Sequence, residues 1–296
     1  MLEQQNSDDF HKTHAFTLPK LGDIVVSPLT GTAYEIGPSL DSGAHGYVYH
    51  CTSEWGDDLV AKVLKPSCTT FAEIETKAVL EITAQALARS PHIVHIHDAF
   101  VFKGACYIIS EHCFRTLDAL LDDEKVSPSI WFPAMARAIL HGLHFIHVHG
   151  IAHCDIHPKN VFLKRIPDAL FPEAHSAFTF KLGDFGQARA VDAMDPQGTF
   201  LNSIRPPEAF DPEEFGPLNH RADVYQAGIL FLSFLDKTRY VFTQNEILRG
   251  IPRQLAEQLP APFHEPISQM LRRHAEYRTP TAIDVWRQLK PLLHMQ

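Results

Sequence analysis

Two polar segments in the middle of the chain carry residues suited to acid–base and metal chemistry. The first, HCDIHPKN at residues 153–160, follows a predicted helix and precedes a short strand. Asp155 in such a loop can accept a proton from a hydroxyl group, and Asn160, five residues later, can bind a metal ion. The second segment is DFG at residues 184–186, after another predicted strand. The Asp184 carboxylate could hold Mg²⁺ that bridges phosphate groups.

A glycine-containing segment nearer the N-terminus could approach phosphate oxygens. Residues 41–48 read DSGAHGYV and lie between two strand-like stretches. Without a Cβ, Gly43 and Gly46 would let backbone amides close over phosphate groups. Glycines between strands are equally typical of a plain hairpin, so this segment alone leaves both interpretations open.

Lys62 lies inside the apolar run LVAKVL at residues 59–64. A lysine ammonium in an apolar strand is costly unless it meets an anion, or unless it faces solvent on the alternate phase of the strand. In the first case Lys62 would bind phosphate and be held by a carboxylate of the following helix. Glu81 is the first choice for this carboxylate and Glu75 the second.

The elements that must position these residues differ between the two halves of the chain. Strand-like runs separated by turn residues start at Tyr34 and include YEIGPSL, GYVYHCT, LVAKVL, HIVHIHDAFV and ACYIISEH, with a predicted helix over 69–90. Residues 1–30 are polar and irregular, and we expect an extension there. Residues 31–113 are expected to form a small sheet-rich lobe with one main helix.

The second half, residues 114–296, is predicted to be a larger and mainly helical lobe. Over 130–149, four apolar residues repeat at helical spacing: Met135, Ile139, Leu143 and Ile146. Residues 219–292 are also helical in pattern, and 164–179 resemble a surface insertion between short strands. The predicted fold class is therefore α+β, with an antiparallel sheet lobe, a helical lobe and a cleft between them.

Taken in order, these segments resemble the eukaryotic-type protein kinase family from about residue 34 to 292. The resemblance implies one bilobal kinase domain that uses ATP and Mg²⁺. It implies that Asp155 is the catalytic base, that Lys62 pairs with the α- and β-phosphates, and that Asn160 and Asp184 carry the metal. His157 would lie beside the transferred phosphoryl group.

Further segments extend the resemblance. Pro206-Pro207-Glu208 is similar to the motif that closes the activation segment, Arg278 lies where a late arginine pairs with that glutamate, and residues 223–228 resemble the core helix behind the catalytic loop. Residues 108–113 resemble the hinge. The resemblance implies that the following residues bind the nucleotide: Gly43, Gly46, Val48, Val60, Lys62, Glu81, Ser110, Glu111, Cys113, Phe162 and Asp184.

Three departures from the family pattern bear on function. Asp41 replaces the first glycine of the loop, and Cys154 replaces the arginine that usually precedes the catalytic aspartate. Without that cation an activation-loop phosphate has no evident partner, so Thr199 and Ser203 are either regulatory sites or ordinary hydroxyls. His157 replaces the usual lysine and supplies less positive charge.

The resemblance implies transfer of the γ-phosphoryl group of MgATP to serine or threonine of a protein substrate. Two alternatives remain open: a pseudokinase that acts as a scaffold, and a small-molecule kinase, since the loop is also similar to that of aminoglycoside and choline phosphotransferases. Four polar residues suited to catalysis (Lys62, Asp155, Asn160 and Asp184) oppose the first. The complete activation segment, which usually docks peptide, opposes the second.

The composition bears on the binding partners and the cellular compartment of the protein. The formal charge of −9 at pH 7 opposes a general affinity for nucleic acid or anionic membranes. Five scattered cysteines without CxxC spacing, and a polar N-terminus, lead us to expect a cytoplasmic protein with reduced thiols. Of the 19 histidines, His141, His144 and His147 have helical spacing, which fits either a metal site or ordinary hydrogen-bonded imidazoles.

Overall fold

A computed structural model describes residues 17–42, 46–64, 90–167, 176–196 and 200–293. These residues divide into two compact units: the first contains the described residues up to 64 together with 95–112, and the second contains 90–94 and 113–293. The helix predicted over 69–90 lies outside the described residues. So do the candidates Gly43, Glu75, Glu81 and Thr199.

The first unit is built on a six-stranded antiparallel sheet with strand order β1-β2-β3-β4-β6-β5. Its strands are β1 (Ile24–Val26), β2 (Ala33–Ser42), β3 (Gly46–Ser53), β4 (Asp58–Leu64), β5 (Ile96–Phe102) and β6 (Ala105–Glu111). Strands β2 to β6 confirm the five predicted strand-like runs. Strand β1 lies within 1–30, where we expected irregular chain, so the sheet begins earlier than the sequence indicates.

Alternation along β4 separates a core face from a polar face. Leu59, Ala61 and Val63 are buried in the apolar core of the first unit. Val60 and Lys62 alternate with them and are only partly buried. Burying a large apolar side chain contributes about 1.5–3 kcal/mol, so the core face fixes the register and thereby decides which residues lie opposite.

The second unit is mainly helical and contains two small sheets. Its helices are α1 (Leu117–Leu121), α2 (Pro128–Val148), α3 (Pro207–Phe210), α4 (Pro212–Phe215), α5 (Arg221–Leu235), α6 (Gln244–Leu248), α7 (Ile251–Ala256), α8 (His264–Met270) and α9 (Ala282–Leu293). Its strands are β7 (Arg115–Thr116), β8 (Ile151–Ala152), β9 (Val161–Pro167), β10 (Ser176–Leu182) and β11 (Arg189–Ala190). They form sheets of order β10-β9-β7 and β11-β8.

Helix α2 forms the centre of the second unit's core. The predicted apolar stripe is confirmed, because Met135, Ile139, Leu143 and Ile146 are all buried. The Phe132 ring of this helix packs edge-on against Phe231 of α5, with ring centroids 5.4 Å apart. The helix therefore supports the loop that follows it, which contains Asp155.

The segment predicted as an insertion at 164–179 is largely strand in its described part. Strands β9 and β10 pair in continuous antiparallel register from Val161–Leu182 to Pro167–Ser176. The hairpin is therefore longer than the short predicted strands, and only residues 168–175 separate its two arms. The aromatic ring of Phe180 on β10 packs against Trp131 of α2, with centroids 6.0 Å apart.

The histidines on α2 contact different neighbouring residues. His147 donates a hydrogen bond from Nε2 to Oδ2 of Asp223 at 2.8 Å, and His141 Nδ1 lies 3.5 Å from the Ser90 hydroxyl. Among the described residues, these histidines do not form a cluster of metal-ligand atoms. The contacts of His147 and His141 fit the hydrogen-bonding interpretation of this spacing.

Over the ranges that the structure describes, we find no helix that combines the length and apolarity needed to cross a bilayer.

Candidate active site

The loop 153–160 is held in place by two polar side chains of α5. Asp223 accepts hydrogen bonds from the backbone amides of His153 and Cys154, both at 2.8 Å. Gln226 accepts from the amide of Ile156 at 3.0 Å and donates to the carbonyl oxygen of Cys154 at 3.1 Å. Because Asp223 and Gln226 are fully buried, these four bonds fix the loop backbone on a rigid helix.

Burial by itself would raise the pKa of Asp223. The hydrogen bond from His147, the charge of that histidine and the charge and amide of His153 outweigh this effect and lower the pKa below its usual value. Asp223 is therefore an ionised buried group whose charge is balanced by imidazole and amide donors. Removal of these donors would leave a buried charge uncompensated and would strongly destabilise the fold.

Asp155 and Asn160 are in direct contact. The Asn160 side-chain amide donates from Nδ2 to Asp155 Oδ2 and to the Asp155 backbone carbonyl, both at 2.9 Å. Because Nδ2 makes both bonds, Oδ1 is the side-chain atom of Asn160 that could bind a metal ion. The other carboxylate oxygen, Asp155 Oδ1, is buried and accepts no hydrogen bond from any residue in the described part of the chain. A buried oxygen of this kind is suited to receive a donor from a bound molecule.

His157 lies beside the same carboxylate. Its Nδ1 accepts a hydrogen bond from the Lys159 amide at 3.3 Å, so the neutral ring carries its proton on Nε2. That Nε2 lies 3.5 Å from Asp155 Oδ2. The imidazole is thus placed to contribute positive charge next to Asp155 when it is protonated.

Asp184 follows β10 in a left-handed backbone conformation, with φ of 56°. Its Oδ1 accepts from the Gly186 amide at 3.4 Å. The preceding residue, Gly183, donates its amide to the carbonyl oxygen of Asn160 at 3.0 Å. The backbone therefore connects the two predicted metal ligands, and their carboxylate and amide oxygens are the donor types that Mg²⁺ prefers.

The ion pair expected between Glu208 and Arg278 is present. Arg278 donates from both terminal nitrogens to the two carboxylate oxygens, each at 2.5 Å, and neither side chain is exposed. The guanidinium also donates to the backbone carbonyls of Arg272 and Arg273 and stacks over the Tyr225 ring at 4.7 Å. This pair ties helix α3 to the segment that precedes α9.

Cys154 is enclosed by apolar side chains, where the family pattern has an arginine. It belongs to a buried cluster with Ala152, Phe200 and Ala222, against which Met194 packs. Burial raises the pKa of the Cys154 thiol, so it stays neutral. In this chain, apolar packing therefore surrounds the position where the family pattern has a cation.

A cavity of about 340 Å³ adjoins the loop 153–160. His157 and Lys159 line it from the loop, and Leu201 and Ser203 line it from the segment before α3. Leu201 is an exposed apolar side chain, so the cavity offers both apolar surface and polar groups next to Asp155.

The first unit brings another set of predicted residues onto one face of its sheet. Lys62 on β4 lies opposite Val48 on β3 and Ile108 on β6. One step along the same face, Val60 lies opposite Ser110. Lys62 thus shares a partly buried face with three predicted nucleotide-contact residues.

Gly46 and Glu111 have structural constraints of their own. A Cβ on Gly46 would come within 2.7 Å of the Val63 carbonyl oxygen, so only glycine permits this close approach of β3 to β4. Glu111 at the end of β6 donates its amide to the His95 carbonyl at 3.0 Å and accepts the His95 amide at its side chain at 2.8 Å. The Glu111 amide is therefore occupied within the sheet.

The structure gathers Asp155, His157, Asn160 and Asp184 within the second unit, where Phe162 lies on β9 and Cys113 precedes β7. It places Lys62, Val48, Val60 and Ser110 within the first. The sequence did not identify Gln226 as a support of the loop. The available signal was a polar residue three positions after Asp223 in an otherwise apolar stretch.

Comparison with known proteins adds independent evidence. The model of the protein kinase domain matches residues 34–289. The chain is 26% identical to CBL-interacting serine/threonine-protein kinase 15 of Arabidopsis thaliana over 68% of this chain and 46% of that protein. It is 24% identical to serine/threonine-protein kinase PLK2 of Mus musculus over 91% of this chain and 39% of that protein. The chain thus spans less than half the length of these relatives.

Proposed function

Because the chain belongs to the protein kinase family, we propose that it transfers the γ-phosphoryl group of ATP to serine or threonine hydroxyls of protein substrates. The observation that carries this proposal is the pairing of a buried, unbonded carboxylate oxygen on Asp155 with the amide of Asn160. Asp155 is the catalytic base in this account. Its carboxylate accepts the proton of the attacking hydroxyl, while Asn160 holds Oδ2 in place.

The remaining residues bind and orient the reactants. Lys62 pairs with the α- and β-phosphates, and Gly43 and Gly46 belong to the loop that covers them. Asn160 and Asp184 hold Mg²⁺, which would neutralise the charge on the phosphates when bound. His157 adds positive charge near the transferred group. Glu81, with Glu75 as second choice, pairs with Lys62.

The adenine is proposed to contact a second group of residues. These are Val48, Val60, Ser110, Glu111, Cys113 and Phe162. Since the Glu111 amide donates within the sheet, adenine recognition there would use other backbone groups of this segment. Ser110 on β6 is a small residue, and the space beside it favours binding of bulky ATP-competitive compounds.

A protein substrate is favoured over a small molecule for two reasons. The cavity beside Asp155 is lined by Leu201 and Ser203 from the segment that ends at Glu208, and it is large enough for peptide side chains. The matched relatives are serine/threonine-protein kinases, which supports hydroxyl acceptors of that type. Packing around Cys154 further supports an activation segment that needs no phosphate at Thr199 or Ser203.

We also propose a cytoplasmic setting. Cys51 and Cys154 are buried thiols that form no disulfide in the structure. Buried cysteines that stay reduced are typical of proteins in reducing compartments.

The proposed activity can be tested by offering ATP labelled in its γ-phosphoryl group to a mixed protein substrate and, separately, to a panel of amino-alcohols. We expect label on serine and threonine of the protein and none on the amino-alcohols. Asp184→Asn should abolish the transfer, and Asp192→Asn, at an exposed carboxylate outside the site, should leave it intact.

Other outcomes would contradict the proposal. Label on amino-alcohols alone would identify a small-molecule kinase. Binding of ATP without any transfer, in wild-type protein, would identify a pseudokinase. Transfer that survives Asp184→Asn unchanged would refute the metal-binding role of that residue.

A further inference from the structure

Three polar side chains meet at one end of the sheet in the first unit. His50 donates a hydrogen bond from Nε2 to Asp58 Oδ1 at 2.7 Å, and His112 donates from Nδ1 to Asp58 Oδ2 at 2.9 Å. The two imidazole rings lie edge to face, with centroids 5.5 Å apart. One carboxylate is therefore clamped between two imidazole nitrogens.

These residues come from three different segments of the fold. His50 lies on β3, Asp58 begins β4, and His112 directly follows β6. The pairing of β3, β4 and β6 brings them together, and the His112 amide also donates to the Asp58 carbonyl at 3.4 Å. The strands thus hold the cluster in place, as an ion-binding site on rigid elements requires.

The position of the His50 ring depends on a glycine in the neighbouring strand β2. A Cβ on Gly37 would come within 2.8 Å of His50 Nδ1 and 3.0 Å of the His50 carbonyl oxygen. Only glycine leaves room for the imidazole there. The space at Gly37 therefore permits the ring orientation that directs Nε2 towards Asp58.

We propose that His50, Asp58 and His112 form a binding site for a divalent transition-metal ion of the zinc type. One ligand atom from each residue lies within 4.8 Å of the other two, and this is the one such group in the part of the chain that the structure describes. Two imidazoles and one carboxylate favour Zn²⁺ and its neighbours Co²⁺, Ni²⁺ and Cu²⁺ over Mg²⁺ or Ca²⁺. A set of three protein ligands leaves a fourth position for water.

Metal binding requires the three ligand atoms to adopt tetrahedral spacing. With zinc–nitrogen distances of about 2.0–2.1 Å, tetrahedral ligand atoms stand about 3.3–3.4 Å apart. The carboxylate must turn so that one of its oxygens faces both ring nitrogens, and the three ligand atoms, now within 4.8 Å of one another, must reach this spacing. Asp58 is 63% exposed and the histidines 30% and 29%, so the carboxylate can turn and an ion can enter.

The chemistry of the three groups suits coordination at neutral pH. A carboxylate and two neutral imidazoles are ligand forms that bind a divalent metal ion. Each imidazole would coordinate through the nitrogen that now donates. That nitrogen loses its proton to solvent, and the neutral ring carries its one proton on the other ring nitrogen. The hydrogen bonds to Asp58 are exchanged for metal–ligand bonds, and no group is oxidised.

A titration of the metal-free full chain with Co²⁺ tests the proposal, followed through the visible absorption of protein-bound Co²⁺ and without nucleotide. We expect one tight equivalent, which Zn²⁺ displaces and excess Mg²⁺ does not. His50→Gln, Asp58→Asn and His112→Gln retain a hydrogen-bonding group of similar size, so the sheet should stay folded. Each should weaken Co²⁺ binding by at least about 10- to 100-fold, since even loss of an outer-sphere partner has that effect.

His95→Ala is the matched control. His95 lies in the same unit and its ring packs edge-on against His97 at a centroid distance of 4.8 Å, but it does not belong to the group of His50, Asp58 and His112. This variant should bind Co²⁺ as the wild type does. In addition, Zn²⁺ should raise the thermal unfolding temperature of wild-type protein and of His95→Ala but not of the three ligand variants. Absence of a tight equivalent, or equal binding by wild type and all three ligand variants, would overturn the proposal.

Discussion

The buried pair between Glu208 and Arg278 allows a quantitative test of how the second unit is held together. Glu208→Leu leaves a guanidinium without its carboxylate, and Arg278→Met leaves a carboxylate without its donors. The second change also removes the hydrogen bonds to the carbonyls of Arg272 and Arg273, at 2.7 and 2.9 Å. Removing one partner of a buried pair costs about 3–5 kcal/mol, so each variant should lose that much free energy of unfolding.

The double variant reveals whether the two residues act as a pair. Once both charges are gone, apolar side chains fill the site, and the double variant should lose much less free energy of unfolding than the sum of the single variants. Urea denaturation followed by circular dichroism measures all four proteins. The coupling energy should be several times the roughly 0.5 kcal/mol that marks independent sites.

An exposed pair in the same unit provides the control. Arg253 and Glu257 are four residues apart at 2.9 Å, and their side chains are 43% and 46% exposed. The same cycle there should give a coupling energy of only about 0.3–0.5 kcal/mol. If Glu208 and Arg278 gave additive losses, or a coupling as small as that of the exposed pair, the structural role assigned to the buried pair would be refuted.

Three further predictions concern the loop and its surroundings. Asp223→Asn should have a lower free energy of unfolding than wild type at neutral pH, and this difference should shrink below about pH 4. The reason is that a carboxyl group with a lowered pKa in the folded state stabilises the fold above its unfolded pKa and loses this effect as the pH falls through the folded value. A constant difference down to about pH 3 in denaturation curves would contradict this. Cys154→Arg should lower the free energy of unfolding by about 3–5 kcal/mol, since it places an unpaired cation among apolar side chains; Cys154→Ala should cost far less, and equal losses would disprove the packing argument. His157→Lys should raise the phosphoryl-transfer rate relative to wild type at about pH 9 more than at about pH 6, because imidazole is neutral at high pH; a rate ratio that does not change with pH would argue against a charge role for His157.

The regular elements could be predicted because their side-chain periods are simple. Leu59, Ala61 and Val63 alternate with Val60 and Lys62, and this alternation alone predicts a strand with one buried face. The apolar residues of α2, which repeat with a period of 3.6 residues, predicted that helix in the same way. Strand β1 was missed because three residues are too few to show a period, and its pairing with β2 depends on the rest of the sheet.

The contacts that support the site could not be predicted in the same way. Asp223 and Gln226 reach amides that lie about 70 residues earlier in the chain, and no local pattern encodes such a contact. The sequence revealed that Cys154 lacks a charge, but only packing shows that Phe200 occupies its surroundings. The cluster of His50, Asp58 and His112 could likewise not be predicted from the sequence. Asp58 is 8 residues from His50 and 54 residues from His112, and these separations match no ligand spacing.

The central claim is that Asp155 accepts the proton of the attacking hydroxyl. The most direct test is a single-turnover measurement of phosphoryl transfer from bound ATP in wild type, in Asp155→Asn and in the exposed control Asp192→Asn, together with ATP affinity for each. We predict that Asp155→Asn binds ATP as tightly as wild type but transfers about 10²- to 10⁴-fold more slowly, while Asp192→Asn matches wild type in both. Transfer by Asp155→Asn at the wild-type rate would contradict the account.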